Sequence, residues 1–489
     1  MMNQPVVLSV QKDISDLHRV FDRQREAFQS GQYPSVQARR RLLKRLEAMV
    51  IGHEREIAQV IGADFGHRSA DETKLLEVVP TLNAIRYAYK RAARWMKPQR
   101  RHVSITFQPG RSWVIYQPLG VVGIVVPWNY PLYLAIAPLT DALAAGNRAI
   151  IKPSESTPLF AELLHQIVQS RFDESEVAVV TGGPDVAQAL CSLPLDHLLF
   201  TGSARVARQV MKAAAENLTP VTLELGGKSP AIVCPDYSID KAARSIALGK
   251  FLNAGQTCVA PDYVLAPAEK VTQVAQSVLE YARRFYPRID HNGDYTSIVS
   301  GRHYKRLLQA IEEAGSAGAT ILRYDDVRAE ERKIGPTIVL EPPRDCLLMR
   351  EEIFGPVLPI VTYRTIDEAL GEVTRRERPL ALYCFTNDKR LRQRILMKTF
   401  SGGVTVNGTL LHVAQEDLPF GGVGASGMGA YHGFEGFKRF SHARAVFAVG
   451  FMNGSELLAP PYGKLARLVG RLLIGRRRQA QRRVRQLRG

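Results

Sequence analysis

Between residues 120 and 227, short β-rich runs alternate with segments of helical periodicity, and this alternation constrains the fold of the chain more than any other feature. The β-rich runs cover residues 121–126, 149–152, 177–180, 197–201 and 221–225. Parallel strands need a crossover connection, usually a helix, so this order predicts a parallel, doubly wound α/β sheet. A chain of 489 residues with 45% hydrophobic content can bury such a core within two or three domains.

Polar residues and glycines stand where four of these runs end. Asn129, Lys152, Gly202 and Glu224 come at, or just beyond, the last residues of a run. Open parallel sheets bind their ligands at the carboxyl ends of their strands. We therefore expect a ligand site along this edge of the first sheet.

A second set of β-rich and helical segments follows residue 227. The strand-like runs cover residues 231–234, 333–340, 357–362 and 380–385, and the helical segments cover residues 239–251, 271–285 and 303–314. This order predicts a second sheet that faces the first across a cleft. Residues 421–433 are too rich in glycine for regular structure, so we expect them to shape the mouth of the cleft or a subunit contact.

The N-terminal part of the chain has helical patterns. Residues 1–34 are predicted to form a helical lead-in, after which Ser35 caps an amphipathic helix. Residues 75–89 repeat apolar side chains at spacings of three and four, which predicts another helix. Residues 103–118 alternate and break at Pro109-Gly110, which is typical of a hairpin.

One thiol, Cys258, lies among small and polar residues in the stretch FLNAGQTCVAP at 251–261. A thiol is the best side-chain nucleophile near neutral pH when its surroundings are partly open and electropositive. A lone cysteine is more often a small buried hydrophobic residue. We interpret Cys258 as a nucleophile because four further motifs accompany it.

These motifs are PWNYP at 127–131, KPSE at 152–155, ELGGK at 224–228 and EEIFGPV at 351–357. In this order, and with 34 positions (258 − 224) between Glu224 and Cys258, they resemble the aldehyde dehydrogenase superfamily from about residue 35 to residue 449. Three further segments are most similar to the class 3 branch and to bacterial coniferyl aldehyde dehydrogenases. They are CVAPDY at 258–263, PFGGVG at 419–424 and SGMGAYHG at 426–433.

The resemblance implies an aldehyde dehydrogenase-like α/β fold, with two doubly wound domains facing across a cleft and a β-arm for oligomerisation. The implied parts are a cofactor-binding domain (1–102 and 119–226), a catalytic domain (227–435), oligomerisation arms (103–118 and 436–450) and a C-terminal tail (451–489). A homodimer is the expected assembly.

The resemblance also implies roles for three side chains. Cys258 would attack the aldehyde carbon, and the Asn129 amide and the Cys258 backbone N–H would stabilise the oxyanion of the thiohemiacetal. Glu224, whose pKa the apolar strand before it would raise, would activate water to hydrolyse the acyl thioester. Branches that pass the acyl group to coenzyme A generally lack this base, so a free acid is expected. The plainer alternatives are a turn role for Asn129 and a salt bridge between Glu224 and Lys228.

The expected cofactor is a nicotinamide dinucleotide, although the chain lacks the usual Gly-x-Gly-x-x-Gly fingerprint. By resemblance, its binding residues are Lys152, Glu155, Gly202, Ser203, Leu225, Glu352 and Phe354. Lys152 and Glu155 would hold the adenosine ribose, and Glu352 with Phe354 would position the nicotinamide ribose.

Gly202 and Ser203 would approach the pyrophosphate at a helix N-terminus. Ala207 stands where the family commonly has glycine, which affects how closely that helix approaches the phosphates. NAD is favoured because a carboxylate at Glu155 suits a free 2′-hydroxyl and repels a 2′-phosphate. Class 3 relatives use both cofactors, so NADP stays open.

The net charge of +18 is concentrated at the C-terminus, where residues 451–489 carry ten Lys or Arg against Glu456 alone, a net +9 (10 − 1). Residues 464–475 have an apolar helical face flanked by basic residues, and arginines follow. This pattern is typical of an anchor on an anionic membrane surface, and a solvated tail is the alternative. Nucleic acid is not expected, because no aromatic residues are interleaved with the arginines.

The chain lacks the pattern of a secretory signal near its N-terminus, and its five cysteines have neither pairing nor metal-ligand spacing. We therefore expect a cytoplasmic protein, peripheral on a membrane if the tail binds lipid, and we assign no metal site.

Together these features predict NAD(P)-dependent oxidation of an aldehyde to the carboxylic acid through a cysteine thiohemiacetal and thioester. An aromatic aldehyde such as coniferyl aldehyde is favoured as substrate. The alternatives are a medium- or long-chain fatty aldehyde at a membrane surface, or a non-catalytic lipid-surface binding protein on the same fold.

Overall fold

The structure is a computed structural model that describes residues 4–324, 331–451, 456 and 459–475. Its helices are α1 (Gln4–Gln29), α2 (Val36–Gly52), α3 (Glu54–Asp64), α4 (Ala70–Thr73), α5 (Val79–Trp95), α6 (Pro131–Ala145), α7 (Pro158–Gln169), α8 (Pro184–Cys191), α9 (Ala204–Ala215), α10 (Ile239–Phe251), α11 (Val271–Phe285), α12 (Gly301–Ser316), α13 (Leu347–Arg350), α14 (Ile366–Thr374), α15 (Lys389–Lys398), α16 (Gly433–Arg439) and α17 (Lys464–Gly475). Its strands are β1 (Gln99–Arg101), β2 (Arg111–Pro118), β3 (Val121–Val125), β4 (Arg148–Lys152), β5 (Val177–Val179), β6 (His197–Thr201), β7 (Val221–Glu224), β8 (Pro230–Val233), β9 (Tyr263–Pro267), β10 (Thr320–Arg323), β11 (Thr337–Leu340), β12 (Val357–Tyr363), β13 (Ala381–Phe385), β14 (Gly403–Val406), β15 (Gly427–Met428) and β16 (Ser441–Ala448).

The chain divides into two compact units, one formed by Met1–Trp95 with Pro118–Ser441 and the other by Met96–Gln117 with His442–Gly489. The first unit contains two sheets, and the second contains β1 and most of β2 and β16, strands in or next to the two predicted arms. The finer domain boundaries given above stay predictions.

The first sheet has the order β15-β7-β6-β3-β4-β5, and all its pairs are parallel except β15 with β7. The five β-rich runs predicted here are strands β3 to β7, with bounds that agree to within one residue. Strand β3 is buried along its whole length, and helix α6 behind it is buried on all sides. The predicted doubly wound sheet is therefore confirmed.

The two-residue strand β15 corrects the prediction that residues 421–433 are irregular. Gly427 pairs with Glu224, and Met428 pairs with Leu223, at the free edge of β7. Gly427 has a φ of +149°, and a Cβ there would collide with the carbonyl oxygen of Leu223. Glycine disfavours strands in isolation, but here only glycine lets the backbone approach the sheet edge closely enough to pair.

The second sheet has the order β10-β11-β12-β9-β8-β13-β14, parallel except for β10 at one edge. The predicted strands at 231–234, 357–362 and 380–385 correspond to β8, β12 and β13, and the predicted helix at 239–251 is α10. Both sheets lie in the first unit and contribute residues to one cavity, as expected for two domains on either side of a cleft.

Helix α2 begins as predicted, because the Ser35 side chain accepts a hydrogen bond from the backbone N–H of Ala38 at 3.2 Å. The helical pattern at 75–89 contains a break that periodicity does not indicate. A π-helical turn, Lys74–Val78, separates α4 from α5. Turns of this kind are rare and often occur at functional sites.

The second unit contains a sheet of order β1-β2-β16. The predicted hairpin is present, but its first strand is Gln99–Arg101, earlier than expected, and Ile105–Phe107 form a 3-10 turn. Proline has no N–H to donate to a strand ladder, so pairing does not continue to Pro109. Helix α17 has the bounds predicted for the tail helix. The arginines that follow it in the sequence, at 476–478, 482–483, 485 and 488, lie outside the described residues.

No helix among the described residues is both long and apolar enough to cross a membrane.

Candidate active site

A cavity of about 710 Å³ lies at the carboxyl ends of β6 and β7 and is closed on its other side by loops of the second sheet. Eight of the predicted site residues line it: Asn129, Gly202, Ser203, Glu224, Leu225, Cys258, Glu352 and Phe354. The structure therefore brings together side chains that are up to 225 positions apart in the sequence (354 − 129).

The loop that carries Cys258 is shaped by three consecutive residues with left-handed backbone conformation. Asn253, Ala254 and Gly255 have φ values of 51°, 50° and 74°. A Cβ on Gly255 would collide with the carbonyl group of Gly355, so only glycine fits there. These three residues turn the chain after α10, and the turn places Cys258, which is half-buried, in the wall of the cavity.

The surroundings of the thiol differ from the electropositive site expected from the sequence. Burial, together with the carboxyl groups of Glu352 and Glu224, raises the pKa of Cys258 to about 12, although the backbone N–H groups of Cys258 and Val259 oppose the shift. Both of these glutamates line the cavity with the thiol. The thiol is consequently protonated at neutral pH and needs a proton acceptor before it can attack.

Glu224 ends strand β7 and is buried. Within the described part of the chain, neither of its carboxyl oxygens has a hydrogen-bond partner. Burial raises its pKa well above the usual value, and only the charge of Arg439 opposes this shift. Lys228 pairs with Asp262 instead and donates to the carbonyl oxygen of Leu348 at 2.6 Å, so the alternative salt bridge with Glu224 is not formed.

Asn129 is buried at the start of α6, with its side chain directed at the cysteine loop. Its Nδ2 donates to the carbonyl oxygen of Gln256 at 3.2 Å. An amide nitrogen carries two protons, and this bond uses one of them. The backbone carbonyl oxygen of Asn129 accepts a hydrogen bond from the Arg68 guanidinium group at 3.2 Å and another from the Asn253 side-chain amide at 3.1 Å.

Glu352 lies against the glycines that follow Glu224. Its carboxyl group accepts the backbone N–H of Gly227 and occupies the place that a Cβ on Gly226 would need. Burial raises the pKa of Glu352 to about 8, and the charge of Asp262 adds to the shift.

Helix α9 begins at the cavity, with Ser203 as its N-cap. The Ser203 hydroxyl accepts from the backbone N–H of Val206 at 3.4 Å, and the N–H of Gly202 donates to the carbonyl oxygen of Glu224 at 3.0 Å. Five arginines also line the cavity: Arg306, Arg344, Arg350, Arg376 and Arg378. A helix N-terminus facing basic side chains fits the pyrophosphate of a dinucleotide.

Lys152 and Glu155 are not among the residues that line this cavity. Lys152 is buried at the end of β4, where its Nζ donates to the carbonyl oxygen of Pro153 at 2.7 Å and lies 3.7 Å from the carboxylate of Glu155. Strand β4 is three strands from β7, or roughly 14 Å along the sheet. That separation suits the opposite end of an extended dinucleotide.

Sequence reasoning missed the polar residues behind Asn129 and Cys258: Arg68, Glu72, Glu77, Asn253 and Gln256. All five are buried and are connected by hydrogen bonds and ion pairs. The sequence did contain one signal for this network. Two glutamates, Glu72 and Glu77, occur in the helical segment around residue 75, whose apolar residues we took to form its buried face. Leu75 of that pattern is in fact 67% exposed.

The remaining cysteines, 191, 234, 346 and 384, are buried and unpaired. In the portions of the chain that the structure describes, no three His, Cys, Asp or Glu side chains are grouped so that they could hold a metal ion.

Comparison with known proteins assigns this arrangement to a family. Residues 3–446 match the model of the aldehyde dehydrogenase family. A probable coniferyl aldehyde dehydrogenase of Pseudomonas aeruginosa is 50% identical over 465 residues, which is 95% of this chain and 98% of that protein. The coniferyl aldehyde dehydrogenase of a Pseudomonas species is 41% identical, over 92% of this chain and 94% of that protein. The structure of the substrate-bound state of Staphylococcus aureus AldH superposes with a TM-score of 0.89 at 37% identity, covering 94% of this chain and 99% of that one.

Proposed function

The chain belongs to the aldehyde dehydrogenase family, and from that premise we propose that it oxidises coniferyl aldehyde or a similar aromatic aldehyde to the carboxylic acid, with NAD as the preferred cofactor. The observation that supports the reaction best is that Cys258, Glu224 and Asn129 converge on one cavity with the N-terminus of α9. The aromatic substrate is favoured by the 50% identity to a probable coniferyl aldehyde dehydrogenase.

The first step is attack of the Cys258 sulfur on the aldehyde carbon, which forms a C–S bond and places negative charge on the aldehyde oxygen. The thiol loses its proton to an acceptor, and Glu224 in its ionised form is the candidate in the same cavity. The remaining N–H of the Asn129 amide and the backbone N–H of Cys258 are the donors for the oxyanion.

When bound, the oxidised nicotinamide ring supplies the hydride acceptor of the reaction. The five arginines and the N-terminus of α9 would hold the pyrophosphate. Glu352 and Phe354 would hold the nicotinamide ribose, and Leu225 would also contact the cofactor. Lys152 and Glu155 would hold the adenosine ribose, beyond the cavity.

Loss of a hydride from the thiohemiacetal carbon would leave an acyl thioester on Cys258, and the last step is hydrolysis of that thioester. Glu224 would accept a proton from water, the water oxygen would attack the acyl carbon, and the C–S bond would break to release the acid and the thiol. Its unpartnered carboxyl oxygens and raised pKa support this role, because a base is most effective when its pKa is near the working pH.

A panel of aldehydes tests the substrate and the cofactor together. We expect reduced nicotinamide to form fastest, in kcat/KM, with coniferyl aldehyde and NAD, and Cys258→Ser to abolish it. Cys191→Ala is the matched control, because Cys191 is buried in α8 and does not line the cavity. A higher kcat/KM for long-chain aliphatic aldehydes would transfer the assignment to fatty aldehydes, and no turnover of any aldehyde would favour a binding protein.

We also propose that the tail binds anionic membranes peripherally. Helix α17 exposes the apolar side chains Leu465, Leu468, Leu472 and Leu473, each about half exposed or more, beside Arg467 and Arg471. Exposed leucines on a basic helix fit an anionic lipid interface.

Vesicles of phosphatidylserine and of phosphatidylcholine provide the test of the membrane proposal. We expect the full chain to sediment with the anionic vesicles only, and Leu468→Asp/Leu472→Asp to remain in solution. Equal sedimentation of the full chain and a chain that ends at residue 458 would contradict the proposal.

We propose a homodimer formed through the arms at 103–118 and 436–450. The exposed Ile105, Phe107 and Val449 support this, because such apolar side chains are typical of subunit contacts. Sedimentation velocity of the wild type and of Ile105→Asp/Phe107→Asp tests it. The variant is expected to run as a monomer, and a wild-type monomer would contradict the proposal.

A further inference from the structure

A buried polar network lies directly behind Asn129 and the cysteine loop. We call Arg68, Glu72, Glu77, Asn253 and Gln256 the Arg68 network, after the residue at its centre. Of these, Gln256 is fully buried, and the side chains of Arg68 and Glu77 have no solvent exposure. Buried charges are costly unless they are paired, so this cluster needs an explanation beyond packing.

Arg68 contacts the Asn129 side of the site directly and reaches the cysteine loop through Glu72, whose Oε2 lies 3.8 Å from Arg68 Nε. Its Nη1 lies 2.8 Å from Glu77 Oε1 and donates to the carbonyl oxygen of Asn129 at 3.2 Å. The guanidinium carbon lies over two aromatic rings, 5.2 Å from the centre of Phe65 and 5.1 Å from that of Tyr130. These ring contacts and the two bonds of Nη1 restrict where the guanidinium group can lie.

The two glutamates connect Arg68 to opposite sides of the site. Glu77 Oε2 accepts the backbone N–H groups of Leu132 and Tyr133, at 2.8 and 3.2 Å, in the first turn of α6 just after Asn129. Glu72 Oε1 accepts the backbone N–H of Asn253 at 2.6 Å, in the cysteine loop. The two glutamates are five positions apart, and the π-helical turn between them brings residues at that spacing to the same side of the helix.

The cysteine loop completes the network. Asn253 Nδ2 donates to the carbonyl oxygen of Asn129 at 3.1 Å and to that of Gln256 at 3.2 Å. The Gln256 carbonyl oxygen also accepts the side-chain amide of Asn129. The backbone of Asn129 is therefore held by Arg68 and Asn253, and its side chain is held by the residue two positions before Cys258.

We propose that Arg68 is a positioning residue for aldehyde oxidation, which holds the Asn129 carboxamide against the loop that carries Cys258 and so sets where the oxyanion forms relative to the thiol. The proposal rests on the proposed function, in which Asn129 is an oxyanion donor. Oxyanion donors act only within hydrogen-bond distance of the developing charge. A shift of about 1 Å in a catalytic group can cost about 10²-fold in rate.

A double-mutant cycle between Arg68 and Asn129 tests this role, with the rate of the first burst of reduced nicotinamide as the measured quantity. Arg68→Met keeps an unbranched apolar side chain of similar length but removes the charge and the donors. We expect it to slow the burst about 10²-fold in the wild-type background and by less than about twofold in the Asn129→Ala background. Asn129→Ala alone is expected to cost about 10²–10³-fold.

The conservative variant and a matched control separate positioning from stability. Arg68→Lys keeps a charge beside Glu77 and is expected to recover part of the burst rate. Arg39→Met removes another buried arginine, which donates to the carbonyl oxygens of Pro34 and Ala144 away from the site, and should leave the burst rate unchanged. Alkylation of Cys258 by iodoacetamide forms no oxyanion, so we expect the same rate in Arg68→Met and the wild type.

Three results would overturn the proposal. Equal slowing by Arg68→Met in both backgrounds would mean that Arg68 acts independently of Asn129. If Arg68→Met does not fold, Arg68→Lys replaces it in the cycle, and equal slowing by Arg68→Lys in the wild-type and Asn129→Ala backgrounds would equally exclude the positioning role. An unaffected burst in Asn129→Ala would remove the oxyanion role of Asn129 itself, while loss of all turnover in the wild type would point to failure of the proposed function instead.

Discussion

The acid–base state of single residues governs the first chemical step of the site. Burial and two of the carboxyl groups in the cavity, those of Glu352 and Glu224, raise the pKa of Cys258, so the protein stabilises the thiol rather than the thiolate. Glu352 has a pKa raised to about 8, mainly by burial, so this carboxyl group is mostly neutral at pH 7. In the proposed reaction, the Cys258 thiolate therefore forms only when a base accepts its proton.

The pH dependence of alkylation checks this state. Because the pKa of Cys258 is raised to about 12, iodoacetamide should react about tenfold faster for each pH unit from pH 7 to pH 10, without a plateau. Glu352→Gln should match the wild type below about pH 8, where Glu352 is protonated, and react faster above it, where the wild type has gained a negative charge beside the sulfur. Glu377→Gln, which also lines the cavity, is the control. A plateau near pH 7 would show a preformed thiolate and contradict this account.

The role of Glu224 has its own kinetic test. Glu224→Gln keeps the shape of the side chain and removes the base. A burst of reduced nicotinamide should remain, but it should be slower than in the wild type because Glu224 is also the proposed acceptor of the thiol proton. Deacylation should slow by about 10²–10⁴-fold. Rapid-quench measurement of the burst and of steady-state turnover separates the two steps. Unchanged steady-state turnover would exclude Glu224 as the base.

Among the secondary-structure elements, strands were easier to predict than helix faces. The runs of the first sheet are buried on both sides, so their composition alone marks them, and their bounds agree to within one residue. The segment α4–α5 was harder. Its buried residues at the start are Glu72, Thr73, Glu77 and Val78, three of them polar or charged, while Leu75 and Val79 are exposed. A pattern of apolar residues cannot identify a buried helix face made of polar side chains, because such a face is buried only where distant parts of the chain supply its hydrogen-bond and ion-pair partners.

Strand β15 offers a test at the level of one element. Gly427→Ala should lower stability by about 1–3 kcal/mol, because φ is +149° and the added Cβ meets the carbonyl oxygen of Leu223. It should also lower kcat, since Gly427 pairs with Glu224. Gly371→Ala in α14 is the matched control, because nothing lies within 4 Å of its added Cβ. That variant should be as stable as the wild type or more so. Equal melting temperatures for Gly427→Ala and the wild type would show that β15 contributes little.

For the molecule as a whole, the arrangement of the two sheets turns scattered motifs into one site. The residues proposed for the cofactor extend from Glu352 in the second half of the unit to Lys152 and Glu155 at the end of β4. A ligand that contacts all of these residues extends across much of the first sheet. Only the folded chain holds them in place together, so the ligand binds the folded state and not the unfolded one. Binding of the cofactor should therefore stabilise the whole fold.

Thermal unfolding measures that linkage. At about one hundred times its dissociation constant, NAD should stabilise the protein by about 2.7 kcal/mol. At equal concentration NADP should raise the melting temperature less, because the Glu155 carboxylate repels its 2′-phosphate. Glu155→Gln should reduce the difference between the two cofactors, whereas Glu162→Gln, an exposed residue of the neighbouring helix α7, should not. A larger shift with NADP than with NAD in the wild type would contradict the cofactor preference.

The sequence by itself determined the fold class, the strands of the first sheet and eight of the residues that line the cavity. The fold class and the strands follow from local composition, and the site residues follow from short motifs and their order in the chain. Neither inference requires knowing which distant residues come into contact. Only the tertiary structure decided the partner of Lys228, the space that Glu352 occupies, the pairing of β15 and the charge around Cys258. The physical reason is the same in each case. Burial and electrostatic coupling depend on side chains that folding brings within a few ångströms from distant positions, and the Arg68 network, which joins residues 68 to 256, is the clearest example.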